Sequence, residues 1–287
     1  MEACGSSHFW ARSFTAMGHE VKLISPQFVK PYVKTNKNDS ADAAAIAEAV
    51  TRPHMRFVPV KQVWQHDLQG ALRIRQSLIY MRTAITNSLH GLLGEYGLLL
   101  PKSHTKMKQL LAEVLSPEDS FLSETAKLPF RIIAEQWDEL DRKIAQLDKI
   151  LRTTAKSTPV AERLKTIPGV GDKTALAIVA SVGDVSHFKN GRQFAAWIGL
   201  VPKHRGTGGK TYTLGISKRG QSELRSLLVQ GGQSFLLCAV KRTDAFSTWA
   251  IKEKMTIGHN KAAVAIANKN ARTIYALLKT GREYVER

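Results

Sequence analysis

The sequence predicts three parts: an α/β N-terminal segment over residues 1–62, a long-helical middle over 63–156, and a mostly α-helical C-terminal part over 157–287. Three observations lead there. Short β-like and helical runs alternate as far as Val60, two apolar seams of heptad-like spacing follow, and beyond Pro159 helical stretches are separated by glycine turns. A length of 287 residues exceeds the ~150 typical of one domain. With 43% hydrophobic and 23% charged residues, the composition suits a globular chain and excludes wholesale disorder.

In the first part, His8 to Met17 reads as a short helix closed by Gly18, and Glu20 to Ile24 as a strand ended by Ser25-Pro26. A second helix runs from Asp39 to Val50 and stops before Pro53, and Met55 to Val60 is a second β-like run. This is too little sheet to have both faces covered as parallel sheets require, so the segment reads as an α/β domain whose beginning is missing. The mouth of the second helix carries Lys37-Asn38-Asp39-Ser40-Ala41-Asp42-Ala43. Positions i and i+3 share a helical face, so Asp39 and Asp42 offer hard oxygen ligands to a divalent cation from one side. The competing reading makes Asp39 a cap and Asp42 a partner of the positive helix end.

In the middle part, Ile74, Leu78, Met81, Ile85, Leu89 and Leu92 form one seam, and Ile133, Trp137, Leu140, Ile144, Leu147 and Leu151 its counterpart. Such seams predict either an antiparallel hairpin or an intermolecular coiled coil. Arg73, Arg75 and Arg82 then belong to a solvated face or touch phosphate.

After Pro159, Leu164-Lys165-Thr166-Ile167-Pro168-Gly169-Val170-Gly171-Asp172-Lys173 resembles a helix-hairpin-helix. Gly169 and Gly171 let backbone N–H groups approach a DNA phosphate, with Lys165 and Lys173 beside them. An ordinary helical corner with a glycine stop is the alternative. A helix near Gly191 to Ile198 leads to Val201-Pro202-Lys203-His204-Arg205-Gly206-Thr207-Gly208-Gly209-Lys210-Thr211. A Walker loop needs glycine where His204 stands, so nucleotide binding is excluded there. What remains is a glycine-flanked hydroxyl, Thr207, beside His204, Arg205 and Lys210, or else a plain hairpin turn. Ser217-Lys218-Arg219-Gly220 opens a helix with Leu224, Leu227 and Leu228, and Lys261 to Leu278 is the last helix.

Forty-two Lys plus Arg against 24 Asp plus Glu give a net charge of +18, which favours a polyanionic partner, most often nucleic acid. No apolar run has the ~18 residues of a membrane span. Cys4 and Cys238 are isolated, so neither a zinc site nor a disulfide framework is expected, and with no signal-peptide pattern the expected location is the cytoplasm.

These motifs in this order resemble the DEDD transposases of the insertion-sequence 110 family. The likeness rests on Met1-Glu2-Ala3-Cys4-Gly5-Ser6, the Lys37 to Ala43 stretch, Ile167-Pro168-Gly169-Val170-Gly171, Phe194-Ala195-Ala196-Trp197-Ile198-Gly199-Leu200-Val201-Pro202, and Gly208-Gly209-Lys210 through Gly215-Ile216-Ser217-Lys218-Arg219-Gly220. It implies a RuvC-like (ribonuclease-H fold) N-terminal domain, here a remnant, then a coiled-coil segment and a C-terminal transposase domain. In the family four acids bind Mg²⁺; Glu2, Asp39 and Asp42 match the second, third and fourth, and the first has no counterpart. The resemblance therefore implies a chain lacking its N-terminal strands and weak or inactive in transposition.

The family's nucleophilic serine lies where this chain offers Thr207, with a second possible alignment at Gly206. Implied partners are the DNA of element ends and target, contacted by Arg205, Lys210, Lys218 and Arg219 as well as the helix-hairpin-helix, together with a guide RNA as in some members, and further copies of the chain in a homo-oligomer. A Holliday-junction-type hydrolytic nuclease and a non-catalytic DNA- or RNA-binding remnant are the other functional classes.

Overall fold

The structure, a computed structural model, describes residues 1–34, 38–116 and 122–285. Lys37, which opens the acidic stretch, lies outside the described residues. The chain divides into two compact units, Met1–His66 with Ala180–His187, and Asp67–Val179 with Phe188–Arg287.

In the first unit, α1 (Ser7–Ala16) connects two parallel backbone segments. Ile24 N–H donates to Met1 O at 2.9 Å and Ala3 N–H to Ile24 O at 2.7 Å, so Glu2 pairs in parallel with Ile24. Gly18 at φ +90° closes α1, as the sequence predicts, because His19 N–H returns to Phe14 O and Gly18 N–H to Thr15 O. The strand expected over Glu20 to Ile24 shortens to β1 (Leu23–Ile24). Its antiparallel partner β2 (Phe57–Val58) has only two residues, and Pro59, without an N–H, ends the pairing. After α2 (Pro26–Val29) and a turn of 3-10 helix (Lys30–Tyr32) comes α3 (Asp39–Val50), at the predicted bounds. α3 buries Ala45 and Ala49 against Ile24 and Val29.

In the second unit, α4 (Val63–Gly94, whose first residues belong to the first unit), α5 (His104–Val114) and α6 (Glu124–Ser157) share one core of Leu89, Leu93, Met107, Leu111, Phe130, Trp137 and Leu140. Arg75 pairs with Asp148 at 2.6 Å and Arg82 with Asp141 at 2.8 Å. A step of seven residues up α4 thus matches a step of seven down α6, which defines an antiparallel hairpin. Arg75 and Arg82 are therefore ion-paired and partly buried, a correction to the solvated face. The α4 seam is also corrected: Ile74, Met81 and Leu92 are exposed, while Leu72 and Leu93 are buried beside Ile85 and Leu89. Met107, Leu111 and Val114 of α5 enter the same core, so the buried face of α4 follows a three-helix contact and not a two-helix seam.

Asp148 also takes Lys173 at 3.1 Å, so one carboxylate ties α4, α6 and the C-terminal part into a single unit. That part contains α7 (Pro159–Lys165), α8 (Asp172–Val182), α9 (Gly191–Ile198), β3 (Pro202–Thr207), β4 (Lys210–Ile216), α10 (Ser222–Cys238), α11 (Ala245–Ile257) and α12 (His259–Thr280). α12 is its spine, burying Ala262, Ala263, Ile266, Ala267, Ala271 and Ile274. Three of its polar side chains hold loops of the same unit: Asn268 donates to Leu200 O at 3.2 Å, the buried Asn270 to Pro168 O at 2.8 Å, and Tyr275 to Phe188 O at 3.0 Å. The sequence reading missed α5 and α11. Met107, Leu111 and Val114 at helical spacing, and Asp244 capping Ser247 N–H at 2.9 Å, were the available signals. Among the described residues no helix is long and apolar enough to cross a membrane.

Candidate active site and nucleic-acid interface

Glu2, Asp39 and Asp42 all belong to the first unit. The helix cap is Asn38, whose side chain accepts from Ala41 N–H at 2.7 Å, so the reading of Asp39 as cap is corrected. Asp39 is the first helical residue and exposed, and Asp42, one turn on, is partly buried. Both favour the positive end of α3. Among the described residues neither carboxylate has a cation partner, in a chain with 42 Lys plus Arg. Glu2 is partly buried on the backbone pair with Ile24. No three His, Cys, Asp or Glu side chains stand together as a metal-holding group among the described residues, so this arrangement does not assemble the three-acid set.

The α7–α8 corner contains the glycine turn. Gly169, at φ +84°, meets Gly231 of α10 so closely that a Cβ built on Gly231 would lie 2.0 Å from Gly169 O. Gly169 is thus accounted for by helix packing. Gly171 is exposed, with nothing within 4 Å of an added Cβ. Lys165 reaches Glu162 at 2.7 Å and Asp172 at 2.8 Å, and the Asp172 hydrogen bond raises its pKa. Burial works against the ionised Asp148, but hydrogen bonds from Arg75 and Lys173 outweigh it and lower that carboxyl's pKa. Both lysines offered to phosphate are therefore engaged with carboxylates.

Thr207, Arg205 and Lys210 lie on the β3–β4 hairpin. Gly208 and Gly209, at φ +54° and +77°, form the two-residue turn that such hairpins favour. The register sets Thr207 opposite Lys210, Gly206 opposite Thr211, Arg205 opposite Tyr212 and His204 opposite Thr213, with an irregularity between Pro202 and His204. Every residue from Pro202 to Gly215 is exposed. The hairpin alternative is therefore correct for the backbone here, and it delivers the Thr207 hydroxyl, unpartnered among the described residues, to an open tip.

Ser217 is at the base. Its N–H donates to Val201 O at 2.8 Å, and Lys218 N–H to Gly199 O at 3.2 Å with Lys218 at φ +54°. Arg225 donates to Ile198 O at 2.9 Å and to Arg219 O at 3.4 Å, clamping the loop onto the end of α9. Ser217 is not the cap of α10: Gln221 holds that position and makes no side-chain cap bond.

Residues 161–247 match the family described as "Transposase IS116/IS110/IS902 family", and residues 1–98 match the DEDD transposase family of the IS110 type. The chain is 43% identical over 279 residues to a Pseudomonas aeruginosa protein described as "Probable family 20 transposase", covering 97% of this chain and 82% of that protein. It is 44% identical over 286 residues to the transposase of insertion sequence element IS1111A from Coxiella burnetii, covering 99% and 78%. The transposase of IS1328 from Yersinia enterocolitica is 36% identical over 282 residues, covering 98% and 83%. The chain belongs to the IS110/IS116/IS902 family of insertion-sequence transposases. It is accordingly an enzyme of DNA transposition, and its DEDD-type domain implies dependence on a divalent metal.

Proposed function

We propose that the chain breaks and joins the DNA of an insertion sequence through the hydroxyl of Thr207. The observation that carries this reading is the hairpin tip. Pairing with Lys210 holds Thr207 beside the turn, and Arg205, two residues back along β3, lies on the same face. From Pro202 to Ser222 there are five Lys or Arg, one His and no carboxylate. In the proposed step the threonine oxygen forms a bond to a DNA phosphorus, one phosphodiester P–O bond breaks, and the proton lost by the hydroxyl balances the one gained by the departing DNA oxygen. Arg205 and Lys210 offset charge on the phosphate.

Asp39 and Asp42, and Glu2 with them, are the carboxylates we propose for Mg²⁺, supported by the DEDD match and by the unpartnered pair at the start of α3. Mg²⁺ bound by oxygen ligands would supply charge stabilisation for phosphoryl transfer. Gly171 N–H is the backbone contact we propose for a DNA phosphate at the α7–α8 corner, with Lys165 and Lys173 exchanging carboxylate for phosphate and Lys218 and Arg219 adding cationic reach. A homo-oligomer is supported by the exposed Ile74, Met81 and Leu92 on α4, and a guide RNA by the charge of +18 alone.

The test incubates protein with labelled element-end DNA, then denatures it. A protein–DNA adduct that survives in Ser217→Ala and Thr207→Ser and vanishes in Thr207→Ala supports the reading. Cleavage without an adduct means hydrolysis of the Holliday-junction type.

A further inference from the structure

The Thr207 face of the hairpin carries a group that the chemistry above does not use. In an antiparallel ladder directly opposed residues share a face, and so do positions two apart along a strand. Arg205, Thr207, Lys210 and Tyr212 therefore form a two-by-two patch, about 5 Å across the strands and about 7 Å along them. Tyr212 is 55% exposed and Leu214 beyond it 50%. Among the described residues the Tyr212 ring makes no contact with another ring. The hairpin has no apolar face packed on a core, and an isolated two-stranded ribbon is only marginally stable in water. More than half of this large aromatic side chain is left facing water.

The partner has to suit both halves of the patch. Two cations flank the hydroxyl, the segment from Pro202 to Ser222 has no carboxylate, and the ring stands opposite Arg205, two residues along β4 from Lys210. A nucleotide has this order of chemistry: a phosphate that takes the cations, and next to it a flat base that takes the ring. Base–aromatic stacking is indifferent to sequence because every base has a π-face. A second copy of the chain is a poorer fit, since two such ribbons would bring like charges together.

We infer that Tyr212 is a stacking residue for an unpaired DNA base next to the phosphate held by Arg205 and Lys210. It positions that phosphate beside Thr207 and reads no sequence. The inference rests on the reading of Thr207 as the reacting hydroxyl only for its purpose; the stack itself is measurable without chemistry. DNA is the assigned partner because the chain is a transposase, and because the patch surrounds the residue proposed to join DNA.

The experiment uses the full chain and a 30-nucleotide oligo-dT containing single 2-aminopurines, whose emission falls when the base stacks on an aromatic ring. Wild type, Tyr212→Phe and Thr207→Ala are expected to quench at saturation. Tyr212→Ala should bind about 5- to 150-fold more weakly, the range of one base–aromatic stack, and should leave emission unquenched when saturated. Equal melting temperatures for Tyr212→Ala and wild type, an expected result for an exposed residue, keep folding out of the comparison. Quenching by Tyr212→Ala equal to wild type overturns the inference. So does Tyr212-dependent quenching that is greater with oligo-rU, which makes RNA the partner, or a change in sedimentation of the free protein without one in quenching, which makes a second copy the partner. If Thr207→Ala still forms an adduct while Tyr212→Ala loses quenching, the nucleophile assignment fails and the stacking residue stands.

Discussion

Replacing Gly231 by alanine puts a methyl group where α10 meets the glycine turn. The added Cβ lies 2.0 Å from Gly169 O and 3.1 Å from Gly169 C, both backbone atoms that no side-chain rotation can move. Alanine in a helix interior gains about 1 kcal/mol over glycine, whereas overpacking a fitted contact costs about 1–3 kcal/mol and sometimes more. The clash has no soft neighbour, so the upper part of that range applies and a net loss of about 1–2 kcal/mol is expected. Gly169→Ala meets Gly231 O at 2.7 Å and adds left-handed strain at φ +84°, of about 1–2 kcal/mol. Gly171→Ala, with nothing within 4 Å, should change stability by less than about 0.5 kcal/mol. Urea denaturation followed by tryptophan fluorescence measures all three, since Trp137, Trp197 and Trp249 report on this unit. Gly231→Ala as stable as wild type, or Gly171→Ala as damaged as Gly231→Ala, would refute the packing account. The harmless variant then has a second use: weaker DNA binding in Gly171→Ala at unchanged stability would assign that position to phosphate contact.

Three further outcomes are expected. Asp39→Asn with Asp42→Asn should abolish metal-dependent strand chemistry at a stability change of about 1 kcal/mol or less, because the cap is Asn38; equal Mg²⁺-dependent activity in the double variant would remove the pair from the site. Asn270→Ala should cost about 1–3 kcal/mol by leaving Pro168 O without its donor, read as a lower denaturation midpoint. His8 is held to a pKa of about 4 by burial, then by Lys61, His66 and Arg12, and its Nδ1 accepts from Lys61 N–H. The unfolded chain takes up this proton near pH 6.5 and the folded one only near 4, so stability of the first unit should be full above 6.5 and fall between 6.5 and 4. His8→Gln should flatten that slope in thermal melts, and an identical slope would show that other groups set it.

The α3 start was legible because helix-start chemistry is local: Asn38, Asp39 and Ser40 all favour caps, and only the backbone, extended at Asn38, chooses among them. The engagement of Lys173 was not legible, since its partner Asp148 lies on another helix, and no spacing rule reaches that far. Gly169 carried an ambiguous signal. A glycine serves close approach equally well whether the visitor is a phosphate or another helix, and only the position of Gly231 decides. The hairpin was half legible: Gly208-Gly209 announces the turn, but the exposure of both strands, which sets Thr207, Arg205 and Tyr212 on one open face, follows from tertiary placement. The α4 seam drifted for a related reason, because helix α5 adds a third partner to what the spacing presents as a two-helix contact.

The central claim, that the hydroxyl of Thr207 joins to DNA, is tested most directly by trapping the denaturation-resistant adduct on element-end DNA, digesting it with protease and nuclease, and sequencing the nucleotide-bearing peptide by tandem mass spectrometry. The account predicts the nucleotide mass on Thr207, at the end of β3 and before the Gly208-Gly209 turn. The same mass on Ser217, or full recombination with no modified peptide at all, would contradict it.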